Sequence, residues 1–173
     1  MIRTINRQEG YRNERGLPQI KSADACRAIG CNPQWLKNMV SRTPPVVLLQ
    51  PEERVDQGGR QYLALSLDSV VHLALVKKLA TIFTPRQAHG YASGFSYFGA
   101  SDRLPGALFN SGYTYLFADP RNTAGEGVCA EPQSAVTPFL HAGTHGLDLI
   151  DPVSLINVTK VVWHVRAALG LPK

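Results

Sequence analysis

Ala25-Cys26-Arg27-Ala28-Ile29-Gly30-Cys31-Asn32-Pro33-Gln34-Trp35-Leu36-Lys37-Asn38-Met39-Val40 is followed, after a Pro-rich break, by Gln57-Gly58-Gly59-Arg60-Gln61-Tyr62. Ala25, Ala28 and Ile29 form one apolar helical face. Ser22 stands where a cap belongs, with Asp24 in the first turn, near the positive helix end. Gly30 stops this helix, because glycine takes the left-handed conformation without a Cβ penalty. Asn32 caps a second helix, and Pro33 occupies its first position, where a missing N–H removes nothing. Trp35, Leu36, Met39 and Val40 supply apolar residues at three- and four-residue spacing. Thr43-Pro44-Pro45 ends the second helix.

The next stretch reads as a two-stranded arm. Val46 to Leu49 is β-branched and apolar, hence an expected strand. Pro51 to Gly59 is charged and ends in Gly-Gly, hence a loop with Arg54 at its tip. Arg60 to Leu65 alternates and returns as a second strand, with Arg60 and Tyr62 on one face. Two short helices followed by such an arm have the order of a winged helix-turn-helix, a module that places its second helix in a DNA groove. Ser66 then caps a third helix with Asp68 near its positive end. Val70, Val71, Leu73, Ala74, Leu75, Leu79 and Ile82 make it apolar over much of its circumference and central to the core. Thr84-Pro85 starts a fourth.

Outward from this region the chain is less specific. Ser93 to Gly112 is rich in glycine, serine and aromatics and reads as a linker. Tyr113 to Ala118, Val128 to Glu131, Ala135 to His141 and Leu147 to Ile150 read as short strands between Gly and Pro. Asp151-Pro152 starts a last helix, with Leu155, Val158, Val161, Val162, Val165 and Leu169 along a stripe and Trp163 to one side. Residues 1–19 read as a flexible basic leader carrying Arg3, Arg7, Arg12 and Arg15.

Bulk properties bound the function. With 173 residues and 44% hydrophobic content the chain can build a packed core. No apolar run approaches the ~20 residues of a membrane span, and Met1 to Gly16 has no apolar segment of a secretory signal. Three cysteines, Cys26, Cys31 and Cys129, make no paired framework and suggest reduced thiols in a cytoplasmic protein. The net charge of +5 is uneven: residues 1–90 hold 13 Lys/Arg against 7 Asp/Glu, and residues 91–173 hold 5 against 6. This asymmetry points to a polyanion-binding half beside a neutral half.

The first 90 or so residues resemble the DNA-binding domain of MerR-type regulators. The matching pieces are Ala25 to Gly30, Asn32 to Lys37, Gly59 to Tyr62 and Ser66 to Val70, in that order. The helix after Thr84-Pro85 takes the place of that family's second helix pair. The arm is longer and more acidic than usual, through Glu52, Glu53 and Asp56. The long dimerising coiled coil is not visible after residue 90, and the cysteines of the metal sensors are absent. Regulation by metal or drug is therefore not carried over.

Six residues are the expected DNA contacts. Gln34 and Lys37 lie three apart on one helical face, with Asn38 on the same flank. Gln and Asn suit adenine edges, and Lys suits guanine O6 and N7. Arg42 follows the helix, where a phosphate would lie. For Arg60 and Tyr62 the resemblance implies phosphate or minor-groove contact; core packing is the other reading for Tyr62. His141, His145 and Asp148, with Cys129, have the composition of metal ligands but lack a Cys-x-x-Cys. Gly143 and Gly146 also argue against the helix that would align them, so loop histidines are expected and no metal. Cys26 reads as a core residue, Cys31 as exposed beside the second helix, and His72 and His164 as surface or interface histidines. No Gly-x-Ser-x-Gly, phosphate-cradling loop or other catalytic set is present, so no enzyme and no cofactor are expected.

The expected fold is α+β: a leader (1–19), a winged helix-turn-helix domain (20–92) able to fold alone, a linker (93–112), and a small α/β dimerisation or sensing region (113–173) ending in a helix. The expected function is a sequence-specific transcriptional regulator of double-stranded DNA, acting as a homodimer. One rival is an excisionase-like or architectural DNA-binding factor. Another is a ligand- or metal-sensing regulator with an effector site in residues 96–151.

Overall fold

A computed structural model of the chain describes residues 20–99, 103–110, 112–118, 128–130 and 154–172. It is mixed α+β, with five α-helices and two three-stranded sheets among the described residues. The leader and the expected strands Ala135 to His141 and Leu147 to Ile150 lie outside them.

Strand β1 (Ile20–Lys21) runs directly into helix α1 (Ser22–Ile29). Ser22 is therefore not the cap; Lys21 holds that position, and the Ser22 hydroxyl donates to the Leu63 carbonyl at 3.4 Å. Gly30, at φ +71°, ends α1: its N–H donates to Arg27 O, while that of Cys31 reaches Cys26 O at 2.9 Å. Helix α2 (Pro33–Ser41) begins as expected, with Asn32 Oδ1 accepting from the Trp35 amide at 2.7 Å.

The expected strand at Val46 to Leu49 is absent. The amides of Val46 and Val47 both donate to Met39 O at 3.0 Å, which wraps the run onto the end of α2 and denies it a strand partner. The loop expected at Pro51 to Gly59 is instead a short 3-10 turn (Pro51–Glu53) and a strand, β2 (Arg54–Gln57). Strand β2 pairs antiparallel with β3 (Arg60–Leu65), and β1 pairs with the other edge of β3. The hairpin turns on Gly58 and Gly59, at φ +62° and +78°. Two successive positive φ values define the tight hairpin turn that suits the strand twist. Asp56 Oδ1 accepts from the Gly59 amide at 3.0 Å and fixes it.

Helix α3 (Leu67–Leu79) starts on Ser66, whose hydroxyl accepts from the Ser69 amide at 3.1 Å. It is buried along most of its length and packs against α1, α4 (Pro85–Ser96) and α5 (Val158–Ala168). Ile82, expected on this helix, follows it and is exposed. Helix α4 has a capping box between Thr84 and Gln87. It runs to Ser96, through the boundary expected at residue 93. Arg103, within the supposed linker, is buried and closes the helix end, donating to the carbonyls of Gly94, Phe95, Phe98, Leu104 and Ala107 at 2.6–3.2 Å. The rings of Phe95 and Phe109 flank its guanidinium.

In the second sheet β4 (Tyr115–Ala118) lies between β5 (Val128–Ala130) and β6 (Ser154–Asn157), all antiparallel. The last helix does not begin at Asp151-Pro152. Residues 154–157 pair with β4, and Asn157 caps α5 by accepting from the Lys160 amide at 3.0 Å. Leu155 is consequently a strand residue. Val158, Val161 and Val165 are buried in the same cluster as Ala25, Leu36, Leu73 and Tyr91. The apolar stripe thus packs on α1 and α3 of its own chain, and the expected self-sufficient core for residues 20–92 is instead completed from the C-terminal region. No helix among the described residues is long and apolar enough to cross a membrane.

Candidate nucleic-acid interface

The apolar pattern of α2 decides which residues it displays. Leu36, Met39 and Val40 are buried, so the side bearing Gln34 and Lys37 faces out. Gln34 Nε2 donates to Asn38 Oδ1 at 2.9 Å, one helical turn along. This bond orients two amides side by side and leaves Gln34 Oε1 and the Asn38 NH₂ group to meet an outside partner. Asn38 is half-buried and Lys37 exposed. Trp35, half-buried, anchors the helix to the core, with Lys77 Nζ 5.4 Å from its ring centroid.

The hairpin is moored to this helix. Arg54 sits at the base of β2, opposite Leu63, and its guanidinium donates to Val40 O at 2.6 Å. It is therefore not at the tip of the arm as the sequence suggested. Beyond the mooring, Arg60 and Tyr62 lie on one face of β3 and are exposed, Tyr62 by 48%. That exposure removes core packing as the role of Tyr62. The acidic character of the arm is also weaker than its composition. Glu53 is fully buried, its carboxylate accepting from the amides of Gln50 at 2.9 Å and Ser66 at 2.7 Å. Asp56 is committed to the turn, which leaves Glu52 exposed.

Arg42 is exposed at the C-terminal end of α2. It lines a cavity of about 490 Å³ with Thr43, Pro44, Thr84, Pro85 and Arg86. Arg86 carries no cue in the sequence, because its place in the same lining as Arg42 depends on how α4 is docked. The structure thus joins Gln34 to Asn38 directly, ties their helix to the hairpin through Arg54, and puts Arg42 and Arg86 in the lining of one cavity.

Cys26, Cys31, His72 and His89 face inward, whereas His164 is exposed on α5. Cys26 is buried, and Cys31 is half-buried rather than exposed. Burial, followed by the neighbouring Cys26, pushes the Cys31 thiol up to about 12, far from a reactive thiolate. His72 is buried, not at the surface, and its Nε2 lies 2.9 Å from His89 Nδ1. Burial lowers the pKa of His89, and the hydrogen-bonded imidazole pair clasps α3 to α4. No group of three or more His, Cys, Asp or Glu able to hold a metal occurs among the described residues. His141, His145 and Asp148 lie outside them.

No protein-family model and no curated protein matches this sequence.

Proposed function

We propose that the protein is a sequence-specific DNA-binding regulator, with α1 and α2 as a helix-turn-helix and the β2–β3 hairpin as its wing. The reading rests above all on α2, a short capped helix that buries Leu36, Met39 and Val40 and displays Gln34, Lys37 and Asn38 together. Hydrogen-bonding side chains clustered on one exposed helical face, at the N-terminal half, are what major-groove readout requires. Arg60 and Tyr62 on the hairpin would follow the flanking backbone or minor groove, and Arg42 a phosphate. The charge surplus of the N-terminal half acts in the same direction.

The active species is a homodimer, since operators are read through two-fold symmetry. The exposed apolar residues of the C-terminal region support a contact there. Trp163 and Tyr113 meet edge to face at 5.9 Å and remain 37% and 39% exposed, and Leu155 is 56% exposed. Aromatic residues of this kind are enriched at interface centres.

The test is selection of bound duplexes from a random pool by the full chain, with light scattering of free protein and complex. A recovered motif with two-fold repeats and a dimer in solution is the expected result. Tandem direct repeats would favour an architectural factor, and no enrichment at low salt would refute the reading.

A further inference from the structure

The cavity between α2 and α4 has an unusual lining. Arg42, Thr43 and Pro44 form one side and Thr84, Pro85 and Arg86 the other, with no carboxylate among the lining residues. Neither Arg42 nor Arg86 has a hydrogen-bond or ion-pair partner among the described residues. The prolines carry no N–H, and the Thr84 hydroxyl and amide are engaged with Gln87. The charged residues lining this space are therefore two arginines, brought from two separate elements. Two uncompensated cations in the lining of one cavity raise its affinity for an anion, and the planar guanidinium fork suits phosphate oxygens.

Position along α2 indicates which phosphate. Arg42 stands eight positions after Gln34. At helical rise that is about 12 Å, and the major groove is about 12 Å wide. A helix whose first turns meet base edges therefore has its far end against a phosphate wall.

We infer that this cavity is a phosphate site, occupied in the DNA complex by one backbone phosphodiester held jointly by Arg42 and Arg86. The source of the phosphate, though not the site itself, rests on the regulator reading above. Arg86 is thereby a DNA-contact residue contributed by α4, outside the helix pair and hairpin.

The experiment compares Arg42→Ala, Arg86→Ala and the double variant with the wild type on a duplex that the wild type selects. Lys160→Ala, exposed on α5, controls for the loss of one positive charge. Each arginine variant should bind about tenfold more weakly at roughly 0.1 M salt, and the double variant should flatten the salt slope by about one unit. The double should lose less than the product of the two singles, because both act on one phosphate. Lys160→Ala should bind like the wild type. One methylphosphonate at the contacted position should weaken the wild type, weaken each single variant less, and leave the double variant unaffected. In a parallel arm, millimolar inorganic phosphate is tested for its effect on melting temperature. If Arg86→Ala binds duplex normally but loses a stabilisation by phosphate that the wild type shows, the site stands and its ligand is a free phosphate. If Arg86→Ala matches the wild type in both arms, the inference is overturned. A wild type that selects no duplex removes the regulator reading, and the phosphate arm then decides the site.

Discussion

Helices α2 and α5 both carry an apolar stripe, yet they use it for different ends. Helix α2 buries Leu36, Met39 and Val40 and gathers hydrogen-bonding side chains on the opposite side. Helix α5 buries Val158, Val161 and Val165 deep in the cluster that α1 and α3 also build, and its outward face has Lys160, Trp163 and His164. One region thus displays chemistry and the other supplies the core that holds the display in place. A capped amphipathic helix therefore does not reveal its role by pattern. Its role depends on what its polar face can bind and on whose core it completes.

The largest effect should come from breaking the shared core. Val161→Asp with Val165→Asp puts two charges among Ala25, Leu36 and Leu73. Burying even one unpaired charge reaches the exceptional range above about 4 kcal/mol, against a total stability of about 5–15 kcal/mol. Circular dichroism should show the whole chain unfolded, α1 and α2 included. Retention of a cooperatively folded N-terminal half would instead establish two independent cores.

A smaller loss is expected at the join between the two regions. Arg103→Ala leaves five carbonyls around α4 without their shared donor, and leaving a buried partner unsatisfied costs about 1–3 kcal/mol, more where the lost group is charged. Urea unfolding of this variant and of Arg103→Lys measures it, with Lys recovering part of the loss. No change in midpoint would show that residues 103–110 are a loose connection after all.

The histidine clasp between α3 and α4 should add a pH dependence. Because burial lowers the pKa of His89, the folded chain takes up a proton less readily than the unfolded chain. Its stability is therefore complete above the ordinary histidine range and falls as pH drops through about 6.5, by at most about 1.4 kcal/mol per pH unit. Thermal melts between neutral and mildly acid pH should show this fall, and His89→Gln should flatten it. A wild type that gained stability on acidification would contradict the geometry.

Much of the display region was legible in the sequence. Gly30, Asn32-Pro33, Ser66 and Thr84-Pro85 fix helix ends by local chemistry, which needs no distant partner. The hairpin register was not legible. Val46 to Leu49 has the composition of a strand, but Met39 O takes two of its amides, and the strand that pairs with β3 is the polar Arg54–Gln57. The same limit applies to Ser154–Asn157, which became a strand because β4 offered an edge, and to Arg103, whose five acceptors assemble only in the fold. Of the candidate site, exposure on α2 followed from helical periodicity. The Gln34–Asn38 bond and the shared cavity of Arg42 and Arg86 depend on rotamers and on helix docking, which periodicity does not specify.

The regulator proposal stands or falls on whether the outward face of α2 reads bases. Its most direct test is fluorescence anisotropy of the wild type and Lys37→Ala on the selected duplex and on its single-base variants. If α2 reads bases, Lys37→Ala weakens binding by about 1–3 kcal/mol and loses preference at one position while keeping it elsewhere. Unchanged affinity and unchanged base preference in a folded Lys37→Ala protein would contradict it.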